Sequence, residues 1–253
     1  MHDTARITAI NRYPVKGFSA EPLEAVTLVR ERPFPGDRLY AIENGPSGYD
    51  PANPKFQPKL KYFELMRNPR LAALDTRFDH ATRVMRIGLN GSTAAEGDLS
   101  TAEGRAAIEA FVAAYMADEA RGPVKVLEGA LGYQFMDSPS SGAISLIGLP
   151  SLRDLAARAG RRSLEPGRFR MNFMLDGLPP WGELDLVGRT MRLGAARIRI
   201  VKRTDRCAAI DAPPGRGGRD TRLVQTMEEN FGHHDCGVYA QVVQGGMVRV
   251  GDR

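Results

Sequence analysis

The sequence predicts a mainly β protein with a few helices, of α+β class, built as two β-barrel-like domains. Three observations predict it. Short runs of Ile, Val, Leu and Tyr alternate with Gly, Pro, Asn and Asp through most of the chain, one amphipathic helix interrupts them, and strand-rich sequence resumes directly after that helix. At 253 residues the chain exceeds the usual single-domain length of about 100–150, so the helix closes a first domain, 1–120, ahead of a second, 121–253.

The segments "ARITAINRYPVKG", "EAVTLVRERPFPGDRLYAIENG" and "RLAALDTRFDHATRVMRIGLNG" read as short strands between turns. "PSGYDPANPKFQPK" carries four prolines, which cannot donate to a sheet ladder, and reads as a long loop. In "STAEGRAAIEAFVAAYMADEA", Ser100 and Glu103 have capping-box spacing, and Ile108, Phe111, Val112 and Tyr115 share one helical face. Gly122 and Pro123 end that helix. Beyond them, "SLRDLAARAG" predicts a short helix closed by Gly160, and "DTRLVQTMEENFG" predicts another with Leu223, Val224, Met227 and Phe231 on its apolar side. "FRMNFMLDG", "TMRLGAARIRIVKR" and "GVYAQVVQGGMVRVGD" predict strands, the last pair joined by a two-residue hairpin at Gly245 and Gly246.

Hydrophobic residues make up 42% of the chain and charged ones 26%, the balance of an ordinary globular protein. No stretch approaches the ~20 apolar residues of a membrane span, and "MHDTARITAINRYPVKG" lacks the apolar segment of a signal peptide, so a cytoplasmic location without membrane contact is expected. Two cysteines cannot supply a disulfide framework. The net charge of +5 comes without a run of five like charges, which favours a small anionic ligand held by a few converging cations over a nucleic acid. Only 7% of residues are aromatic, without the interleaving with Lys and Arg that an RNA-binding sheet requires.

The chemistry concentrates in "KRTDRCAAIDAP", residues 202–213. Ile198 and Ile200 share one strand face, so Cys207 is expected at a strand end, where sites are commonly built. Lys202, Arg203 and Arg206 are close in sequence, and any that also lie close in space favour the thiolate by charge attraction. A thiolate serves a soft metal or a nucleophilic mechanism; the bland alternative is a small packed hydrophobe. Upstream, Arg168, Arg170 and Asn172 alternate in "EPGRFRMNFMLDG"; on a strand they share a face that offers guanidinium donors to a phosphate and an amide to a heterocycle edge.

The stretch "RFRMNFMLDGLPPWGELDLVGRTMRLGAARIRIVKRTDRCAAID", with "GVYAQVVQGGMVRVGD", resembles the MOSC domain, the C-terminal domain of molybdenum cofactor sulfurases, over roughly residues 121 to 253. The opening "ITAINRYPVKGFSAEPLEAVTL", with "FPGDRLYAIENG", is similar to the N-terminal β-barrel that precedes MOSC in amidoxime-reducing and related bacterial proteins. The resemblance implies an N-terminal barrel followed by a MOSC-type barrel, a molybdenum cofactor of the molybdopterin type, and Cys207 as the protein ligand to molybdenum. It further implies cofactor contacts from Lys16 of the "YP.K" motif, Arg38 of "DR", and Arg170 and Asn172. Two positions depart from the family pattern: Gly17 stands where the amidoxime reducers tend to have serine, and Met171 where proline is frequent. Arg168, Thr204, Arg206, Ser140 and Ser141 complete the candidate set around the pterin phosphate, the two serines from "MDSPSSGAIS".

These features lead to the expectation of a molybdenum oxidoreductase that reduces an N-hydroxylated small-molecule substrate, with Cys207 and Asp205 as the catalytic candidates. The chain has no cysteine quartet, haem motif or dinucleotide fingerprint, so a separate iron–sulfur or flavin protein is the expected electron donor. The alternative is a non-redox module that carries the cofactor, or sulfur on Cys207. His233, His234, Asp235 and Cys236 look like a metal set, yet consecutive residues on an extended segment point alternately and do not converge on one tetrahedral ion. Cys236 is expected to be packed, His234 or Asp235 to serve as a proton donor, and Trp181 to pack in a core or lid.

Overall fold

The computed structural model describes residues 5–137 and 144–253. It is mainly β, with three α-helices among the described residues, and its largest sheet curls into a half-barrel. The first half supplies β1 (Arg6–Arg12), β2 (Glu21–Leu23), β3 (Ala25–Leu28), β4 (Tyr40–Asn44), β5 (Asp75–Phe78), β6 (Val84–Leu89), β7 (Ser92–Asp98), α1 (Ala102–Tyr115) and β8 (Val124–Glu128). The second supplies β9 (Ile144–Gly148), α2 (Leu149–Arg158), β10 (Phe173–Asp176), β11 (Thr190–Leu193), β12 (Ala196–Asp205), α3 (Leu223–Phe231), β13 (Asp235–Gln244) and β14 (Gly246–Arg249). The Pro-rich stretch carries no strand, as its missing donors require.

The curled sheet has the order β11-β12-β13-β9-β10-β1-β2, so strands from both sides of residue 120 share it. Its concave face buries Ile7, Ile10, Leu146, Phe173, Ile198, Ile200 and Val242, each isoleucine among them contributing roughly 1.5–3 kcal/mol by leaving water. The β3–β14 pair closes this core with Val26, Leu28 and Val248. A second core gathers the first-half strands and α1 around Tyr40, Ile42, Phe63, Ile87, Ile108 and Val112. A third lies under α2 and α3, where Leu155, Leu223 and Met227 meet Ile147, Met174 and Cys236 from the sheet's outer face.

Several elements differ from the sequence reading. Thr101, not Ser100, caps α1: its side chain accepts from Gly104 N, while Ser100 turns its hydroxyl to Asp98. The hairpin at Gly245 and Gly246 does not form. A type I′ turn needs positive φ at both residues, and neither has it; β14 instead crosses to β3. The two glycines serve close passage, since a Cβ at Gly246 would lie 2.5 Å from Ala195 O and one at Gly245 2.8 Å from Leu28 O. Strand β7, which follows the Asn90–Gly91 turn, goes unread because "STAAEGD" is small and polar.

Candidate functional site

One cavity of roughly 300 Å³ lies where the first-half core meets the outer face of the curled sheet. It collects Lys16 from the β1–β2 loop, Arg38 from the approach to β4, Lys59 from the end of the Pro-rich loop and Glu64 just beyond it, Arg170 from the approach to β10, and Thr204, Arg206 and Cys207 from the end of β12. Cys207 is half-buried and begins a short 3-10 turn, Ala208–Asp211. The strand end predicted for it is where it sits.

The proposed arginine strand face does not exist. Pro166 opens a 3-10 turn over Pro166–Phe169, Arg170 takes a left-handed conformation with φ 54°, and β10 begins only at Phe173. Arg168, Arg170 and Asn172 therefore point in unrelated directions. Arg168 is sealed in the wall with every nitrogen engaged: Nε donates to Glu165 at 2.6 Å, Nη1 to Asp220 at 2.7 Å and to Asp211 O at 3.3 Å, and Nη2 to Asp220 at 2.9 Å. It holds the segment after Cys207 rather than a ligand. Asn172 is fully buried behind the cavity, where its side chain bonds Ser145 and Asn11 O; Ser145 forms the wall in its place.

Arg170 is the reverse of Arg168. Its Nη1 donates to Phe18 O at 2.6 Å, its Nη2 has no partner, and it is in none of the ion pairs among the described residues. Burial and the neighbouring Arg38 push its pKa down to about 10, so it keeps its charge at neutral pH. The guanidinium groups of Arg38 and Arg170 both lie over the Tyr13 ring, 4.7 and 4.4 Å from its centroid. Arg38 pairs with Asp37 and donates to Arg170 O at 3.0 Å, and although burial opposes its charge, Asp37 holds its pKa above the ordinary value. Arg206 spends Nε on Cys236 O and Nη1 on Phe169 O; among the described residues its Nη2 and the buried Thr204 Oγ1 have no partner.

Lys16 reaches the cavity as predicted, donating to Phe135 O at 3.0 Å and pairing with Asp137. Burial works against the Asp137 carboxylate, but Lys16, Lys59 and Arg38 around it hold its pKa below the usual range. Asp205 lies at the rim with an 81% exposed side chain, 3.9 Å from His234, which also meets Glu228 at 3.0 Å. Ser140 and Ser141 lie outside the described residues.

Of the cations expected beside Cys207, Arg203 turns away toward Asp185 and Asp235. The group that faces the sulfur is Lys59, which the sequence reading missed. Burial disfavours its charge, yet charge attraction to Cys207 and Asp137 and a hydrogen bond to Cys207 hold its pKa above the ordinary value. Glu64, likewise missed, is buried nearby with its pKa raised by that burial, though Met66 and Arg67 N–H groups donate to it. Neither belongs to a motif; the "EPG" turn at 165–167 is the one local signal that could have corrected the strand reading.

The other cysteine is packed. Cys236 is sealed in the third core, where burial pushes its thiol up to about 12. Among the described residues, no group of three or more His, Cys, Asp and Glu could hold a metal ion, and Trp181 Nε1 donates to Asp154 at 2.8 Å.

Three buried polar atoms without a partner among the described residues, Arg170 Nη2, Thr204 Oγ1 and Arg206 Nη2, thus belong to residues that line one cavity beside a half-buried thiol. A buried donor left unpaired costs roughly 1–3 kcal/mol, so the wall is built for an anionic, acceptor-rich ligand. A phosphate-bearing pterin with a thiolate-bound metal fits that donor set.

The MOSC domain family matches residues 133–253 and the MOSC N-terminal beta barrel domain matches 4–122. No curated protein matches. Among solved structures, the YUAD protein from Bacillus subtilis aligns over 98% of this chain and 93% of its own at 13% identity, with a TM-score of 0.46. YiiM from Geobacillus stearothermophilus aligns over 44% of this chain and 52% of its own at 21% identity, with a TM-score of 0.32. Among the described residues, no helix is long and apolar enough to cross a membrane. With the two matched regions running almost end to end, this chain belongs to the MOSC family, a family associated with molybdenum-cofactor binding, and carries the family's N-terminal barrel.

Proposed function

We propose that the protein is a cytoplasmic, molybdenum-cofactor-dependent reductase of N-hydroxylated small molecules, supplied with electrons by a separate iron–sulfur or flavin protein. The observation that carries this reading is the coincidence of an accessible thiol with buried donors that lack partners, in a family associated with this cofactor. Cys207 would bind the metal through sulfur; Arg170, Arg206 and Thr204 would hold the phosphate and pterin, with Lys16 and Arg38 adding positive charge. When bound, the cofactor supplies two-electron oxygen-atom chemistry that no side chain offers.

The protein's own groups do the rest. Lys59, its charge held by attraction to Cys207 and Asp137, adds a cation beside the sulfur. Arg168, anchored on Asp220 and Asp211 O, fixes the turn that presents Cys207. Reduction of a hydroxylamine breaks its N–O bond and consumes two electrons and two protons to give the amine and water. Rim-exposed Asp205, beside His234, is placed to pass protons from solvent.

The test is purification from a host that makes the cofactor, with molybdenum and pterin measured in the wild type and in Cys207→Ala. Stoichiometric metal that the variant loses supports the site, and turnover of a hydroxylamine or amidoxime with an artificial reductant supports the reductase. Bound sulfane sulfur on Cys207 without turnover would instead establish a carrier.

A further inference from the structure

Strand β12 sends Ile198 and Ile200 into the concave core and turns Arg197 and Arg199 outward, where both are exposed. On the edge strand β11, Arg192 stands directly opposite Arg197, and Thr190 opposite Arg199. On the other flank, Gln244 and Gln241 of β13 stand opposite the same two arginines. One solvent-facing surface therefore presents three guanidinium groups among neutral polar side chains. Like charges placed directly opposite across an antiparallel ladder destabilise it. Arg203 nearby finds Asp185 and Asp235, whereas Arg192, Arg197 and Arg199 have no ion-pair partner among the described residues.

This surface continues into the cavity. Further along the ladder Lys202 faces Tyr239, with its ammonium 5.6 Å from the ring centroid, and Tyr239 in turn faces Ser145. All three residues line the cavity that holds Cys207. Across the irregularity between Ile200 and Lys202, Arg199 and Lys202 stand two ladder steps apart, about 7 Å at the usual rise. A macromolecule seated on the arginines would abut the cavity mouth.

We propose that this arginine face of β11 and β12 docks an acidic protein that delivers electrons to the cavity, an inference that rests on the reductase reading above. Carboxylates from a partner would offset the Arg192–Arg197 repulsion that the free protein leaves uncompensated, and the field of three fixed cations would steer such a partner. A nucleic acid fits less well: the face offers no exposed aromatic ring on which bases stack, and Tyr239 lies half-buried beneath Lys202.

The whole protein is titrated with an acidic [2Fe–2S] ferredoxin and, separately, with a short DNA duplex, each at low and at near-physiological salt. The variants are the double substitution Arg197→Glu with Arg199→Glu and, as control, Arg77→Glu on β5, whose side chain is 82% exposed. The expected result is ferredoxin binding that salt weakens, and that the double variant weakens at least about tenfold while the control does not. Ferredoxin-driven turnover falls in parallel, whereas bound molybdenum and turnover with an artificial reductant stay at the wild-type level. Equal ferredoxin binding by the double variant, or DNA binding tighter than ferredoxin binding through the same arginines, overturns the proposal. The titration needs no cofactor, so a wild type devoid of molybdenum would sink the reductase reading while this binding result still decides the face.

Discussion

Lys59 and Cys207 line the same cavity and attract each other electrostatically, joining the end of a first-half loop to the end of a strand in the second half. An ammonium beside a thiol favours its anion, the reactive form. In cofactor-free protein, Lys59→Met is expected to slow iodoacetamide alkylation of Cys207 by about three- to tenfold. Mass spectrometry should place the label on Cys207 alone, since Cys236 is sealed from solvent. An unchanged rate would remove Lys59 from the site.

Arg170 is a buried cation on which the largest charge effect is repulsion from Arg38. Such a charge adds little to the stability of the empty protein and is retained for a ligand. Arg170→Met should therefore shift the unfolding free energy of the apoprotein by less than about 1 kcal/mol, yet reduce molybdenum retention at least tenfold. Urea titration and metal analysis on the same preparation separate the two effects.

Arg168 makes the opposite prediction. It pairs in two-pronged fashion with the partly buried Asp220, and Arg168→Met leaves that carboxylate to Arg161 and the more distant Arg216, at a cost of about 1–3 kcal/mol in urea unfolding. Hydrogen bonding to Arg168 lowers the Asp220 pKa, so the pair contributes fully above the unfolded carboxylate range and is lost as pH falls through the folded value. Wild-type stability should fall below about pH 4 more steeply than that of Asp220→Asn, which has no such proton to take up. Parallel acid slopes would contradict the pairing.

Gly17 follows Lys16 with φ +82°, and a Cβ there would lie 2.8 Å from Phe63 O. Placing there the serine that amidoxime reducers tend to have is therefore expected to destabilise this chain by about 1–3 kcal/mol. Thermal unfolding of Gly17→Ser decides it; a gain in melting temperature would refute the strain.

Much of the site is legible in the linear order of residues, for reasons the structure supplies. Cys207 follows an alternating strand whose in-pointing isoleucines fix where the sheet ends, and Lys16, Arg38, Arg170 and Arg206 stand in recognisable short motifs. Reading Arg168 and Arg170 as equivalent fails because one left-handed residue after a proline-led turn reverses which way neighbours point. Lys59, Glu64 and Asp137 escape notice because irregular loops deliver them, and loops carry no period from which a direction can be inferred. The position of β14 is hidden for a related cause: two consecutive glycines signal a reversal as readily as a crossing, and only the backbone angles distinguish them.

Among the described residues strand β3 pairs with β14 alone, so synthesis must pass Arg249 before the concave core can be sealed. Until then Val26 and Leu28 lack their cover, and the nascent chain depends on late, distant pairing rather than on stepwise growth. Such a stitch between strands more than two hundred residues apart keeps apolar surface open longer than local pairing would.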